Sequence, residues 1–202
     1  GDKMEWTEEY FKYSKQHNEK GVGLQIVTSG PDSEREQIKK SYIRMILDAK
    51  EYIYLQTPYF IPDDSLLDAI RIASMSGVDV RVMIPNKPDH LFVYWATYSY
   101  VGELLKAGAK VFLYENGFLH AKTMVIDDRL ATVGTANIDV RSFRLNFEVN
   151  AIIYDVKKAS EMVGLFQEDL KFSSQITKHL YTSRPLRVRM KEQICRLLSP
   201  VL

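Results

Sequence analysis

FLHAKTMVIDDRLATVGTAN, residues 118–137, reads as two apolar strands around a short polar turn, yet it carries a histidine and a lysine two residues apart. Isolated polar residues in apolar strands are ordinarily surface residues, and spacing is what argues otherwise here. On a strand, residues i and i+2 face the same way, so His120 and Lys122 project from one surface. Folding the hairpin about residues 127–129 sets residue 120 across from Thr135, Ala136 and Asn137. Imidazole, ammonium, hydroxyl and carboxamide then converge at one strand end, beside the backbone N–H groups around Gly134. Glu148, on the following strand, is within reach of the imidazole and can fix its tautomer.

That set of groups suits a phosphodiester. Lysine and asparagine can hold non-bridging oxygens and stabilise charge in the transition state. Histidine can attack phosphorus or protonate a leaving oxygen, because its pKa lies near neutrality. Asp127, five residues beyond Lys122, falls in the turn, where it is expected to brace the hairpin rather than touch substrate.

Outward from the hairpin, strands and helices alternate. Residues 23–30 read as a first strand ending at a glycine turn, and Ser33 with Glu36 makes a capping-box pattern before a helix with Ile38, Tyr42, Met45, Ile46 and Ala49 on one face. Residues 52–56 and 78–84 read as strands. Between them, a helix from about Asp64 buries Leu66, Leu67, Ile70 and Ala73 and ends at Gly77. A further helix over 95–107 closes at Gly108 before a strand over 110–114, and residues 146–154 add another strand after the hairpin. The last 45 or so residues read as helical, and no internal repeat stands out. The pattern predicts an α/β fold, a mixed, mainly parallel sheet flanked by helices. Residues 1–20 are expected to be a linker or lead-in helix and residues 21–202 a single half-domain.

A chain of 202 residues that is 46% hydrophobic can bury a core, and its net charge of +1 supplies no field for nucleic acid, so none is expected as a partner. The lone Cys195 excludes a disulfide within the chain and fits a reducing compartment. No signal peptide is visible, and no uncharged run approaches the ~20 residues that span a bilayer. Beginning Gly1-Asp2, the chain is expected to be an excised piece. No His, Cys, Asp or Glu cluster shows metal-ligand spacing, so no metal or other cofactor is expected. His17, His90 and His179 have no motif around them.

The residues spell H-x-K-x4-D-x6-G-T-x-N, which resembles the HKD motif of the phospholipase D superfamily in His120, Lys122, Asp127, Gly134, Thr135 and Asn137. Chance agreement at six positions is on the order of 1 in 100,000 at average residue usage. The stretches TPYFIPDDSLLDAI, GVDVRVMIP, ELLKAGAKVF, DVRSFRLNFEVN and RLLSPVL extend the similarity to the C-terminal half of bacterial cardiolipin synthases, from about Leu24 to the last residue. The resemblance implies that His120, Lys122 and Asp127 are the motif's catalytic set. Lys122, Thr135 and Asn137 would surround the phosphate, and Glu148 would orient His120. It further implies a second HKD motif, from a missing N-terminal half of the same protein or a second copy, so this fragment would be inactive alone.

The implied reaction is a cofactor-free transfer between two phosphatidylglycerol molecules through a phosphatidyl-histidine, releasing glycerol and giving cardiolipin, with His120 as general acid by analogy. Anionic phospholipid and a membrane surface are the implied partners. The full-length protein is expected at the cell membrane with its catalytic domain facing the cytoplasm, and this fragment soluble. Two other readings stay open: a homodimeric phosphodiesterase or nuclease of the same superfamily, and a non-catalytic lipid-binding half.

Three further features are singled out. Tyr59, in QTPYF just past a strand end, is placed where α/β sheets bind ligands. Phe92, Tyr94, Trp95, Tyr98 and Tyr100 make an aromatic cluster expected to pack in the core or at an interface. Arg184, Arg187, Arg189, Lys191 and Arg196, interleaved with apolar residues, read as a solvated face or a contact with anionic membrane.

Overall fold

The structure is a computed structural model that describes residues 21–87 and 89–197. The expected lead-in segment 1–20, with His17, and the end of RLLSPVL lie outside the described residues. Along the described chain run β1 (Gly23–Ser29), α1 (Gln37–Asp48), β2 (Tyr52–Gln56), β3 (Phe60–Ile61), α2 (Asp64–Met75), β4 (Asp79–Pro85), α3 (Leu91–Ala107) and β5 (Lys110–Tyr114). Then follow β6 (Thr123–Ile126), β7 (Leu130–Gly134), β8 (Ile138–Asp139), α4 (Val140–Arg144), β9 (Glu148–Tyr154), α5 (Val156–Leu170), β10 (Ser173–Ile176), α6 (Lys178–Thr182) and α7 (Leu186–Leu197).

The α/β class and the flanking helices are as expected, but the sheet is not mainly parallel. Eight strands lie in the order β1-β9-β7-β6-β2-β4-β5-β10, and only β2–β4 and β4–β5 are parallel pairs. The other five joins are antiparallel. The reason is connectivity. A helical crossover returns the chain to a parallel neighbour, and only α2 and α3 act that way. β1 precedes a helix too, yet it pairs with β9 at the sheet edge instead of with β2. After β5 no helix intervenes before β6, so the chain reverses into a hairpin.

Strand alternation gives the sheet two apolar faces. On one, Ile53, Leu55, Val80, Val82 and Met124 pack against Ile38, Tyr42 and Ile46 of α1, Leu66 and Ile70 of α2, and Leu104 of α3. On the other, Tyr54, Met83, Val125 and Ala131 meet Ala159, Val163 and Phe166 of α5. Burial of each large side chain among these contributes about 1.5–3 kcal/mol.

The capping box is not formed. Helix α1 starts one residue after Glu36, which adopts a left-handed backbone with φ 46°. Ser33 instead closes a turn onto the Gly30 carbonyl and donates its hydroxyl to Gln37 Oε1 at 3.2 Å. The Glu36 carboxylate is drawn away to Lys39 and Arg144, which links α1 to α4. Helix α2 does follow the cap rule, with Asp63 accepting from the Leu66 N–H at 3.0 Å.

The aromatic cluster on α3 holds α6 and α7 against the domain. Tyr100 is in the core, Arg196 lies 4.7 Å above its ring, and Lys191 sits 5.8 Å from Trp95. Arg184 stacks 3.4 Å from Tyr181 and pairs with buried Glu192 at 3.0 Å. Burial pushes the Glu192 carboxyl above its usual range, against the opposing pull of Arg184. Arg184 and Arg196 are thus structural, while Arg187, Arg189 and Lys191 remain exposed.

Candidate active site

The central hairpin is built by its turn. Asp127 and Asp128 both have positive φ, 51° and 49°, and the Arg129 N–H donates back to the Ile126 carbonyl at 3.1 Å. Aspartate tolerates this backbone better than most residues. The Asp127 carboxylate accepts three backbone N–H groups, from Lys50 at 2.8 Å and from Glu51 and Tyr52 at 2.9 Å. It therefore pins the turn to the start of β2, at the opposite end of β6 from His120. Of the motif residues, Asp127 is the one the fold does not bring to the site.

At the other end the ladder runs one step past the strands, with the Gly134 N–H donating to the Lys122 carbonyl at 3.3 Å. Only glycine fits at 134: a Cβ there would lie 2.3 Å from the Val149 carbonyl oxygen and 2.4 Å from the Asn150 carboxamide. Asn150 is buried beneath the site. It donates to the Tyr42 hydroxyl at 2.8 Å and to Thr132 at 3.2 Å, and accepts from the Ala136 N–H at 3.4 Å. This network fixes the loop that carries Thr135 and Asn137.

His120 lies in the irregular approach to β6 rather than on a strand, with its side chain exposed and its ring 5.8 Å from Phe118. Leu119 and Ala121 pack into the α5-side cluster, which leaves His120 and Lys122 for the opposite face, at different depths. Lys122 is only 9% exposed. Its Nζ donates to the His120 carbonyl at 2.8 Å and, among the described residues, makes no ion pair. Burial pulls the Lys122 pKa down, opposed by the fields of Glu148 and Asp139. A buried ammonium with two N–H groups unspent is costly unless an anion joins it.

Thr135 is exposed, but its hydroxyl is tied to the β9 backbone, accepting from the Val149 N–H at 3.0 Å. Asn137 is half-buried; its Oδ1 is buried and, among the described residues, has no partner, which leaves an acceptor free, while its side chain hydrogen-bonds Asp139. Glu148 accepts from Asn146 at 3.3 Å and, among the described residues, makes no hydrogen bond to His120. Tyr59 donates its phenol to Asp89 on the loop after β4. Its carbonyl accepts from Thr57, which also receives the Ile138 N–H at 3.4 Å, so its loop abuts β8.

One carboxylate was missed by sequence reasoning. Asp139 is 5% exposed, caps α4 by accepting the Ser142 N–H at 2.6 Å, and bears on Lys122. Burial pushes its carboxyl above the usual range, opposed by Ser142 and Asn137. The D-x-x-S spacing of a helix cap was its sequence signal. Among the described residues, no three His, Cys, Asp or Glu side chains gather as a metal would require.

Comparison with known proteins places this geometry. A family model described as "Cardiolipin synthase, PLD-like domain" matches residues 42–170. The chain is 67% identical over 181 residues to the major cardiolipin synthase ClsA of Bacillus subtilis, covering 90% of this chain and 38% of that protein. It is 59% identical over 201 residues to the cardiolipin synthase of Oceanobacillus iheyensis, covering 100% of this chain and 41% of the relative. The chain therefore spans about two-fifths of the length of these curated relatives. Among solved structures it resembles Nuc, a phospholipase D family member from Salmonella typhimurium, with TM-score 0.66 and 18% identity over 78% of this chain and 100% of that one. It also resembles phosphatidylserine synthase of Haemophilus influenzae, with TM-score 0.70 and 18% identity over 90% of this chain and 48% of that one. On the matched 129 residues, 42 to 170, the chain belongs to the cardiolipin synthase family of phospholipase D-like domains.

Proposed function

We propose that residues 21–202 form one catalytic half of a cardiolipin synthase, completed by a second HKD half from the rest of the same protein. The observation that carries this reading is Lys122, a buried ammonium that makes no ion pair among the described residues, beside an exposed His120. A phosphate supplies the missing charge. Lys122 and the Asn137 amide hold its non-bridging oxygens, with Thr135 at the rim. Glu148 swings from Asn146 to the imidazole to orient His120, and Tyr59 lines the approach from β8.

In the reaction, one histidine attacks the phosphorus of phosphatidylglycerol while the other gives its proton to the departing glycerol oxygen. The hydroxyl of a second phosphatidylglycerol then displaces the histidine and gives cardiolipin. His120 serves as the general acid. Splitting the displacement through a covalent intermediate replaces one high barrier by two lower ones.

The whole protein acts at the cell membrane from its cytoplasmic face, and α7 supports that placement. Leu186, Met190, Ile194 and Leu197 form an exposed apolar stripe flanked by Arg187, Arg189 and Lys191, an arrangement suited to the interface of anionic lipid. No helix among the described residues is long and apolar enough to cross a membrane.

The test is glycerol release from phosphatidylglycerol in mixed micelles, comparing this chain, the full-length protein and the full-length His120→Ala variant. Glycerol and cardiolipin from the full-length protein only, abolished by the substitution, is the expected result. Turnover by this chain alone would replace the reading by a self-associating, homodimeric phosphodiesterase.

A further inference from the structure

Glu148 also lines a second space that the motif does not involve. A groove of about 460 Å³ extends from it between the end of β1 and the start of α1, bounded by Ser29, Asp32, Ser33, Gln37 and Phe147. Its floor is Gly30, where a Cβ would meet Asp32 Oδ1 at 2.6 Å and the Phe147 ring at 2.7 Å. Phe147 is 75% exposed and stands over this glycine as a wall. Thr28 and Gln37 are shared with a second groove of about 640 Å³ along the open edge of β1, which adds Arg35, Lys40 and Ser41.

The Ser29 hydroxyl accepts the Ile38 N–H and the Ser33 and Ser41 hydroxyls donate to Gln37, but the charged groups along this path are unspent and change in kind with distance from Glu148. In the near part, the Asp32 carboxylate has no hydrogen-bond partner among the described residues, and Gln37 uses only its Oε1, toward Ser33. A carboxylate with neutral amide and hydroxyl groups repels phosphate but accepts from the hydroxyls of a polyol. In the far part, Arg35 and Lys40 are exposed and, among the described residues, neither side chain has an ion-pair partner. Two cations without counter-charges suit a phosphodiester. Outward from the site, the order of chemistry is therefore diol, then phosphate.

We propose that this groove holds the headgroup of the acceptor phosphatidylglycerol, with Asp32 and Gln37 on its glycerol hydroxyls and Arg35 and Lys40 on its phosphate. The inference rests on the function proposed above and assigns the place of its second substrate. The terminal hydroxyl oxygen of the acceptor, delivered past Glu148, bonds to the phosphorus of the phosphatidyl-histidine. The P–N bond breaks, its electron pair returns to the imidazole, and the hydroxyl proton passes to the other histidine. The secondary hydroxyl stays on Asp32. The near groove also receives the glycerol that leaves in the first step, which carries no second phosphate. Arg35 and Lys40 therefore act on the acceptor alone, and they favour transfer to lipid over transfer to water.

The experiment measures how the phosphatidyl group divides between cardiolipin and phosphatidic acid, the product when water is the acceptor. The full-length protein with Arg35→Glu and Lys40→Glu is compared with the unmodified one on phosphatidylglycerol micelles. The expected result is a fall of about tenfold in the cardiolipin-to-phosphatidic-acid ratio, the scale of losing two charge-assisted contacts at a partly solvated site. An unchanged ratio, whatever the total rate, overturns the proposal.

A binding measurement separates this outcome from failure of the underlying reading. Glycerophosphoglycerol, the deacylated headgroup, is titrated into this chain by NMR, with inorganic phosphate as the control. Headgroup-specific shifts at residues 28–40, lost in the double variant, support the groove even if the full-length protein releases no glycerol. Shifts confined to His120 and Lys122, or identical in the double variant, overturn it.

Discussion

Asp127→Ala tests whether the aspartate of the motif braces the fold or takes part in chemistry. Its carboxylate, 8% exposed, receives three backbone N–H groups at 2.8–2.9 Å. Bonds to a charged acceptor contribute about 1.5–3 kcal/mol each when buried. Lys50 and Glu51 are exposed, so water replaces the acceptor for their N–H groups, while Tyr52 is half-buried and recovers less. The net loss is about 2–4 kcal/mol, and alanine at φ 51° adds about 1 kcal/mol of left-handed strain. For a chain of this size that lowers the thermal midpoint by about 6–20 °C. Asp127→Asn keeps one acceptor oxygen and tolerates the backbone, so it should lose roughly half as much. Urea and thermal unfolding of the three chains measure this. In the full-length protein, activity per folded molecule should fall far less than with His120→Ala. An unchanged midpoint, with activity lost as fully as in His120→Ala, would refute the brace.

Lys122→Met should abolish glycerol release yet stabilise the chain by about 1–2 kcal/mol at neutral pH, because a desolvated ammonium becomes a thioether. The lowered pKa gives a second signature. Between the folded value and the usual lysine value the unfolded chain binds more protons, so stability rises with pH and is lost as pH falls through that window. Urea titrations from pH 7 to 10.5 should show this slope in the parent and less of it in Lys122→Met. Gly134→Ala forces Asn150 from its network and should cost about 3 kcal/mol, read from the urea midpoint; a midpoint within 0.5 kcal/mol of the parent would mean that the loop yields. Reversing Arg187, Arg189 and Lys191 to glutamate should release the chain from anionic vesicles in a flotation assay, and retained binding would remove α7 from the membrane contact.

Much of this was legible in the chain itself. Val82 and Leu55 alternate, Ile38, Tyr42 and Met45 recur at helical spacing, and Gly77 and Gly108 mark helix ends, because local backbone physics sets those periods. The hairpin about residues 127–129 and its motif were equally local, since the turn needs residues that accept positive φ, although His120 and Lys122 share a face in the irregular approach to β6 rather than on a strand. Pairing between distant strands was not local. β1 joining β9, and the sheet being mostly antiparallel, depended on which edges were free once α2 and α3 had crossed over.

The site divides the same way. His120, Lys122, Thr135 and Asn137 carry recognisable spacing, but spacing could not show that Lys122 is buried while His120 is exposed, nor that Thr135 has spent its hydroxyl on Val149. Asp139 and Asn150 were passed over because their roles depend on neighbours brought in by long-range pairing. The groove beyond Glu148 forms only when β1 lies against β9 and brings residues 28–40 beside Phe147. Sequence by itself determined the elements, the motif and the kind of chemistry, all set by neighbours a few residues apart. Burial, charge compensation and the shape of the cleft were decided by the tertiary structure, because desolvation and Coulomb energies depend on distances in space that no local pattern encodes.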